Sequence, residues 1–421
     1  MTSRILHILS QRPSRTGSGV TLDSLVRLAD ESGWQQSAIV GVPADELQPT
    51  VGGLAGEHIH PVFFGSRAPA RGPMLEFPVP GMSDVMPYPS SVWSDLDAPS
   101  LAKYRQIWSE HIRQVIESTR PDLVHSNHIW LMSSLLKDVA PNLPVVTTCH
   151  ATGLRQLELC PRLADEVIAG CRRNDHFFVL RRDHRDQLAA ILKVPAARIT
   201  ICGAGFREDL FHPAAAGVVS AEFRTGNWLY VGKYSAAKGL PQLLESFAHA
   251  LAIRPDLRLH IAGSGAGAEA ERLQHQMEAM APAVVLHGQL DQRTLSHLMV
   301  RCSLCVLPSF YEGVPLVLVE AAACGCRIVS TDLPGVREQL APTLGDTLRM
   351  VPLPDLDGID TPRPENLPVF VDSLLVALLA AEDAGPAPGT LDLREFTWEA
   401  VFERVAGRWR ELLGTDLPDT N

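Results

Sequence analysis

Two carboxylates, Glu312 and Glu320, stand eight positions apart in the run Ser309-Phe-Tyr-Glu312-Gly313-Val314-Pro315-Leu316-Val317-Leu-Val-Glu320-Ala-Ala-Ala-Cys-Gly325. An apolar stretch, Leu304 to Leu307, precedes them, and Pro315 suits a first helical turn. The spacing therefore predicts Glu312 in a loop and Glu320 inside the helix that follows. Each carboxylate can accept two hydroxyl hydrogen bonds, as a ribose diol or a pair of sugar hydroxyls requires. The amides of Gly313, Val314 and the turn beyond, Leu316 and Val317, would face an anion with the helix dipole behind them. The plain alternative is a cap-region acid and an exposed helix acid. Val317, Leu318, Val319 and three alanines surround Glu320, so burying it without a partner would be costly.

A second patch, Tyr230-Val-Gly232-Lys233-Tyr-Ser-Ala-Ala-Lys238-Gly239, follows a strand-like run and precedes a helical one. Two cations five positions apart on such a loop can meet a diphosphate from two sides and stabilise charge that grows as it leaves. With these lysines and a helix terminus at hand, the chemistry calls for no metal and no cofactor. Asp95-Leu-Asp97 and Asp355-Leu-Asp357 have the letters of a metal-binding pair but sit in proline-rich loops. Cys302, Cys305, Cys324 and Cys326 have zinc-ligand types, yet they fall on a buried strand and a helix end rather than on tight turns.

Earlier in the chain, Ser14-Arg15-Thr16-Gly17-Ser18-Gly19 links a strand to an amphipathic helix, where Gly17, Ser18 and Gly19 permit close backbone approach to a phosphate. The same letters also spell an ordinary helix cap. His150 ends the strand Val145 to Cys149, at the carboxyl edge where open α/β sheets bind ligands, and is expected to bond a sugar hydroxyl or orient an acceptor. His125, Asn127 and His128 end the preceding strand and are expected on the acceptor side, together with Met82 and Tyr88 of the segment Pro78 to Tyr88.

The Glu312 and Glu320 run resembles the retaining, GT-B fold glycosyltransferases of family four, whose signature is E-x7-E in such a loop and helix. The resemblance covers most of the chain and is strongest from Trp228 to Glu338. It implies that Glu312 holds the donor sugar, Glu320 the nucleotide ribose, and Lys233 and Lys238 the diphosphate, with His150 as the active-site histidine. It also implies retention, by a same-face displacement in which the leaving phosphate helps deprotonate the acceptor. Lys233 departs from the family, which more often has Arg there, so a point charge replaces a bidentate fork. A nucleotide-sugar epimerase of the same fold and a non-catalytic nucleotide-sugar scaffold are the rivals. Gly263-Ser-Gly265-Ala-Gly267 lacks the full spacing of a dinucleotide fingerprint, which leaves an oxidoreductase weakest.

These residues need elements to hold them. Ile5 to Leu9, Ala38 to Val42, Leu123 to His125, Val145 to Cys149, Phe177 to Leu180 and Ile199 to Cys202 read as buried parallel strands separated by helical periodicity. The rhythm restarts with Trp228 to Val231, Leu257 to Ala262, Val284 to His287, Leu304 to Leu307 and Ile328 to Ser330. The expected architecture is α/β with two Rossmann-like doubly wound domains facing a cleft: an acceptor domain over 1–212, a donor domain over 226–390, and a helix over 398–413 packing back on the first. Pro61 to Ser100 breaks the alternation and reads as a long binding loop, and Pro352 to Pro368 as a second break.

A net charge of −11 argues against nucleic acid as a partner. The start is too short and too quickly polar for a signal peptide, and no long apolar run predicts an integral membrane segment, so the cytoplasm is expected. Eight cysteines in 421 residues make no disulfide framework. The expected partners are a nucleotide sugar, UDP- or GDP-linked, and a small-molecule acceptor, with a homodimer as the assembly.

Overall fold

The computed structural model describes residues 3–13, 16–66, 72–83, 86, 88–215, 224–385, 387 and 391–415. The chain forms two compact units, Met1–Ala204 with Trp398–Asn421, and Gly205–Thr397.

The first unit carries eight strands: β1 (Arg4–Leu9), β2 (Gln35–Pro43), β3 (Ile59–Phe64), β4 (Met74–Leu75), β5 (Leu123–Asn127), β6 (Val145–Cys149), β7 (His176–Val179) and β8 (Ile199–Ile201). They form one parallel sheet in the order β4-β3-β2-β1-β5-β6-β7-β8. Every residue of β5, β6 and β7 is buried, so these strands show no alternation of apolar and polar positions. The C-terminal helix Trp398–Leu413 belongs to this unit, with Trp409 set edge-on to Trp34 and His7.

The stretch from Pro61 is not the long loop expected from its prolines. It completes β3, adds β4, and sends Phe64, Leu75, Val79, Met82, Tyr88 and Trp93 into one core cluster with Tyr104 and Trp108. Proline is tolerated because β3 and β4 lie at the end of the sheet, where ladder hydrogen bonds can be given up.

The second unit has β9 (Asn227–Val231), β10 (Arg258–Ala262), β11 (Val284–Gly288), β12 (Leu304–Leu307), β13 (Arg327–Thr331) and β14 (Leu348–Val351) in the parallel order β11-β10-β9-β12-β13-β14. Both sheets are doubly wound. β14 escapes a hydropathy reading because it is an edge strand whose Arg349 and Met350 are exposed.

One helix, Pro364–Asp383, is long and apolar enough to cross a membrane by length and composition, a test that core helices also pass. Its inner residues Phe370, Val371, Leu374 and Leu378 are buried, and Arg254 at the end of helix Leu240–Ile253 pairs with its last residue, Asp383. All eight cysteines are free thiols and buried. Among the described residues no three His, Cys, Asp or Glu side chains are arranged to hold a metal.

Candidate active site

In a doubly wound sheet the chain leaves the central strands in opposite directions, and the diverging loops open a crevice at their carboxyl ends. In the second unit this switch lies between β9 and β12. The loop after β9 carries Gly232 to Gly239 into the helix Leu240–Ile253, and the loop after β12 carries Pro308 to Pro315 into the helix Leu316–Ala323. The two sequence patches, some eighty residues apart, therefore meet because the strands feeding them are neighbours.

Their contact is close. The Phe310 amide donates to the Ala237 carbonyl at 3.0 Å. Gly239 has φ +66°, and a Cβ there would lie 2.0 Å from the Pro308 carbonyl oxygen. Gly263, after β10, has φ +143° and a similar limit, 1.9 Å from the Gly232 oxygen. Only glycine meets both conditions, so the Gly263 turn is a packing device tying a third loop to the same place.

The first patch and the second meet side chain to side chain. Lys238 Nζ lies 2.6 Å from Glu312 Oε1, and the Ser309 hydroxyl donates to the same oxygen at 2.7 Å. Both ends of the pair are partly buried, so the attraction is less screened than on the surface. Lys233 is exposed, but its carbonyl accepts from the Tyr230 hydroxyl at 2.7 Å. Tyr230 is fully buried, and burial holds its phenol protonated well above the usual range. Glu320 is half-buried in the helix, as the spacing predicts, and desolvation pushes its carboxyl up to about 7.

One expectation fails here. Pro315 is the cap rather than the first helical residue, with φ −77° and ψ 84°, close to an inverse γ-turn. That turn directs the Leu316 amide back onto the Val314 carbonyl at 2.9 Å, so Leu316 does not offer its N–H outward. Among the described residues no side chain caps the helix, and Val314 and Val317 are half-buried at its mouth beside Gly313.

In the first unit the switch lies between β1 and β5. Thr16 caps the helix Gly17–Glu31 by accepting from the Gly19 amide at 3.4 Å, and its hydroxyl lies 3.0 Å from that of Ser18. Ser18 reaches Gln11 Oε1 at 3.5 Å. Gly17 has open space around it; Ser14 and Arg15 lie outside the described residues.

Beyond β5 and β6, His150 Nε2 pairs with Asn127 Oδ1 at 3.1 Å, and the His128 ring sits 4.8 Å from that of His150. Because a carboxamide oxygen only accepts, Nε2 of His150 carries the proton and Nδ1 keeps its lone pair. Burial pushes His150 down to about 4 and lowers His128 well below the usual range, so both rings are neutral at pH 7. His128 has φ +70°, and neither of its buried ring nitrogens has a hydrogen-bond partner among the described residues. A strained backbone and two orphaned buried nitrogens in one residue are costs that a bound polar group would relieve.

Three expected acceptor residues lie elsewhere. His125 sits two positions inside β5, its ring 5.5 Å from both Trp409 and Phe178 and its Nε2 2.7 Å from Thr148 Oγ1. Met82 and Tyr88 are 2% and 7% exposed within the core cluster of Phe64 and Trp93, where burial pushes the Tyr88 phenol up to about 12. Pro-rich sequence suggested a shaped loop; its aromatic content instead makes it part of the core. Conversely, sequence reasoning gave no role to Ser309 or Tyr230. Their signals, a hydroxyl three residues before the acid and a tyrosine three before the lysine, were present but too common to single out.

Comparison with known proteins agrees with this geometry. Residues 16–205 match the pattern described as "Glycosyl transferase 4-like domain", and residues 225–357 match "Glycosyl transferases group 1". A glycogen synthase of Mycobacterium tuberculosis is 29% identical over 52% of this chain, which spans about half, 54%, of that relative's length. A D-inositol 3-phosphate glycosyltransferase of Paenarthrobacter aurescens is 26% identical over 85% of this chain and 90% of its own. The sucrose-phosphate synthase of Thermosynechococcus elongatus shares the fold with a TM-score of 0.63 and 18% identity, covering 98% of this chain and 100% of that one. With both patterns falling on the two doubly wound units and the E-x7-E pair at the switch of the second, the chain belongs to the GT-B glycosyltransferases of family four.

Proposed function

We propose that this chain transfers a hexose-type sugar from a nucleotide diphosphate sugar, UDP- or GDP-linked, to a small-molecule acceptor, with retention at the anomeric carbon and without a metal. The observation that carries the reading is the ion pair of Lys238 and Glu312, held by Ser309 at the switch between β9 and β12. In the reading, Lys238 and Lys233 take the diphosphate, Glu312 takes hydroxyls of the donor sugar, and Glu320 takes the ribose diol. Charge that builds on the leaving diphosphate is met by two ammonium groups and a helix terminus, which supports turnover without a divalent ion.

Acceptor binding falls to the strand ends of the first unit. His150 and His128 are neutral, and a neutral imidazole both donates and accepts, as does a hydroxyl. The Paenarthrobacter relative is named for D-inositol 3-phosphate, so a phosphorylated polyol heads the acceptor candidates. A same-face displacement, with the leaving phosphate taking the acceptor proton, fits the lack of an assigned covalent nucleophile in the reading.

The test is a thermal-shift and turnover panel of UDP-, GDP-, ADP- and dTDP-sugars, with and without EDTA, on the wild type and Glu320→Ala. Selective stabilisation by one nucleotide, unchanged by EDTA and lost in Glu320→Ala, supports the donor site and its metal independence. Conversion of the donor sugar without an acceptor would favour an epimerase, binding without turnover a scaffold, and no binding would end the reading.

A further inference from the structure

We infer that Ser309 is a positioning residue for the donor sugar, keeping the Glu312 carboxylate in place when Lys238 leaves it for the donor diphosphate. The inference rests on the proposed reading of Glu312 as the sugar-holding acid.

Oε1 of Glu312 receives two donors, Lys238 Nζ at 2.6 Å and Ser309 Oγ at 2.7 Å. Donor binding acts on the two bonds differently. Lys238 stands on a four-carbon stem, half-buried, and its ammonium can swing to a phosphate oxygen without moving the backbone. Ser309 cannot follow a ligand in this way, because its side chain is one carbon long and the residue is fully buried. Its loop is fixed from both directions: the next residue, Phe310, donates its amide to Ala237, and the preceding Pro308 carbonyl packs against Gly239.

When a diphosphate draws Lys238 away, Glu312 therefore loses that ammonium and keeps the Ser309 hydroxyl donor. That exchange does two things at once. The carboxylate, no longer paired with the Lys238 ammonium, becomes a stronger acceptor for sugar hydroxyls. The Ser309 bond meanwhile limits the rotation that the Glu312 side chain gains when the ammonium leaves, so less entropy is lost when the sugar binds. Ser309 thus acts on the sugar through Glu312 and leaves the nucleotide alone.

This separation defines the test. Affinities of UDP and GDP are compared with those of UDP-glucose and GDP-mannose by calorimetry, on the full chain carrying Ser309→Ala, Ser309→Thr, Glu312→Gln or Ser309→Ala with Glu312→Gln. Acceptor-independent hydrolysis of the sugar nucleotide gives kcat and KM, and melting curves report folding. The expected result is that Ser309→Ala binds the sugar-free diphosphate within twofold of the wild type. The sugar nucleotide should weaken about tenfold, the scale of a hydrogen bond to a charged group. Ser309→Thr restores most of the loss, and the double variant is no worse than Glu312→Gln alone. Equal weakening of diphosphate and sugar nucleotide, or no change in either, overturns the role of Ser309. If Glu312→Gln also binds sugar nucleotides as the wild type does, the assignment of Glu312 fails; if the wild type binds none of the four, the donor site itself fails, and Ser309 falls with it.

Discussion

Lys233 and Lys238 carry the same charge on the same loop, yet the geometry makes them unequal. Lys238 is partly buried and already paired at 2.6 Å, whereas Lys233 is exposed and anchored through its carbonyl. An ammonium in a partly desolvated site is worth more to a phosphate than one in water. Lys238→Ala is expected to weaken nucleoside diphosphate binding by tenfold to a hundredfold, on the order of 1.5–3 kcal/mol for a hydrogen bond to a charged group. Lys233→Ala should cost less, and Lys233→Arg should match or exceed the wild type by offering two parallel donors. Titration of the three variants with the preferred diphosphate checks the order, and a larger loss for Lys233→Ala would reverse the assignment. The neighbouring Tyr230 offers a test of the anchor alone. Tyr230→Phe removes the 2.7 Å bond to the Lys233 carbonyl without a change of shape, and leaving that carbonyl unsatisfied is expected to destabilise by about 1–3 kcal/mol in urea unfolding.

At the scale of elements, the donor-side loops depend on close backbone approach. Gly239→Ala would place a methyl group 2.0 Å from the Pro308 oxygen at φ +66°, so the β9 and β12 loops must part. Strain of both kinds at one position is expected to cost more than about 2 kcal/mol, and thermal melting with and without the preferred diphosphate would reveal both the lost stability and the lost site. How far such elements can be read from sequence depended on what surrounds them. β5, β6, β7 and β12 are buried throughout; β12 and most of β7 read as apolar runs, whereas β5 and β6 open apolar and turn polar after Val124 and Val146. β3 and β14 lie at or near sheet edges, where proline in one and exposed Arg349 and Met350 in the other hide the period. The E-x7-E and lysine patches were legible because residue type and loop position alone define them. The pairing of Lys238 with Glu312 was not, because it depends on which strands are neighbours, and the turn of Leu316 was not, because it depends on ψ at Pro315. His125 misled for a related reason: a strand end drawn one or two residues early turned a core histidine into a candidate ligand.

Across the whole molecule, titration should set the two units apart. In the first unit burial lowers His7, His150 and His184 to about 4, and it also holds His125 and His128 well below the usual imidazole range. An unfolded chain binds protons at these positions from about pH 6.5 downward while the folded unit does not. Their contribution is therefore complete above pH 6.5 and lost as pH falls toward 4; for fully buried His7 the shift corresponds to about 3 kcal/mol. The second unit has fewer such groups, with His260 lowered to about 4 and His287 lowered as well, and Glu320 opposes them. A carboxyl raised from 4.5 to about 7 binds its proton more tightly when folded, so its term favours the folded unit increasingly as pH falls from 7 to 4.5. Acidification from pH 7 to 5 is thus expected to destabilise the first unit steeply and the second only slightly. Six of the seven tryptophans lie in the first unit and Trp228 alone in the second, so tryptophan fluorescence follows mainly the first while calorimetry registers both. The fluorescence midpoint should fall ahead of the second calorimetric transition as the pH is lowered, and Glu320→Gln should make that second transition fall as well. A single transition that is insensitive to pH between 7 and 5, or one that shifts upward in both readouts, would contradict the burial of these imidazoles as neutral groups.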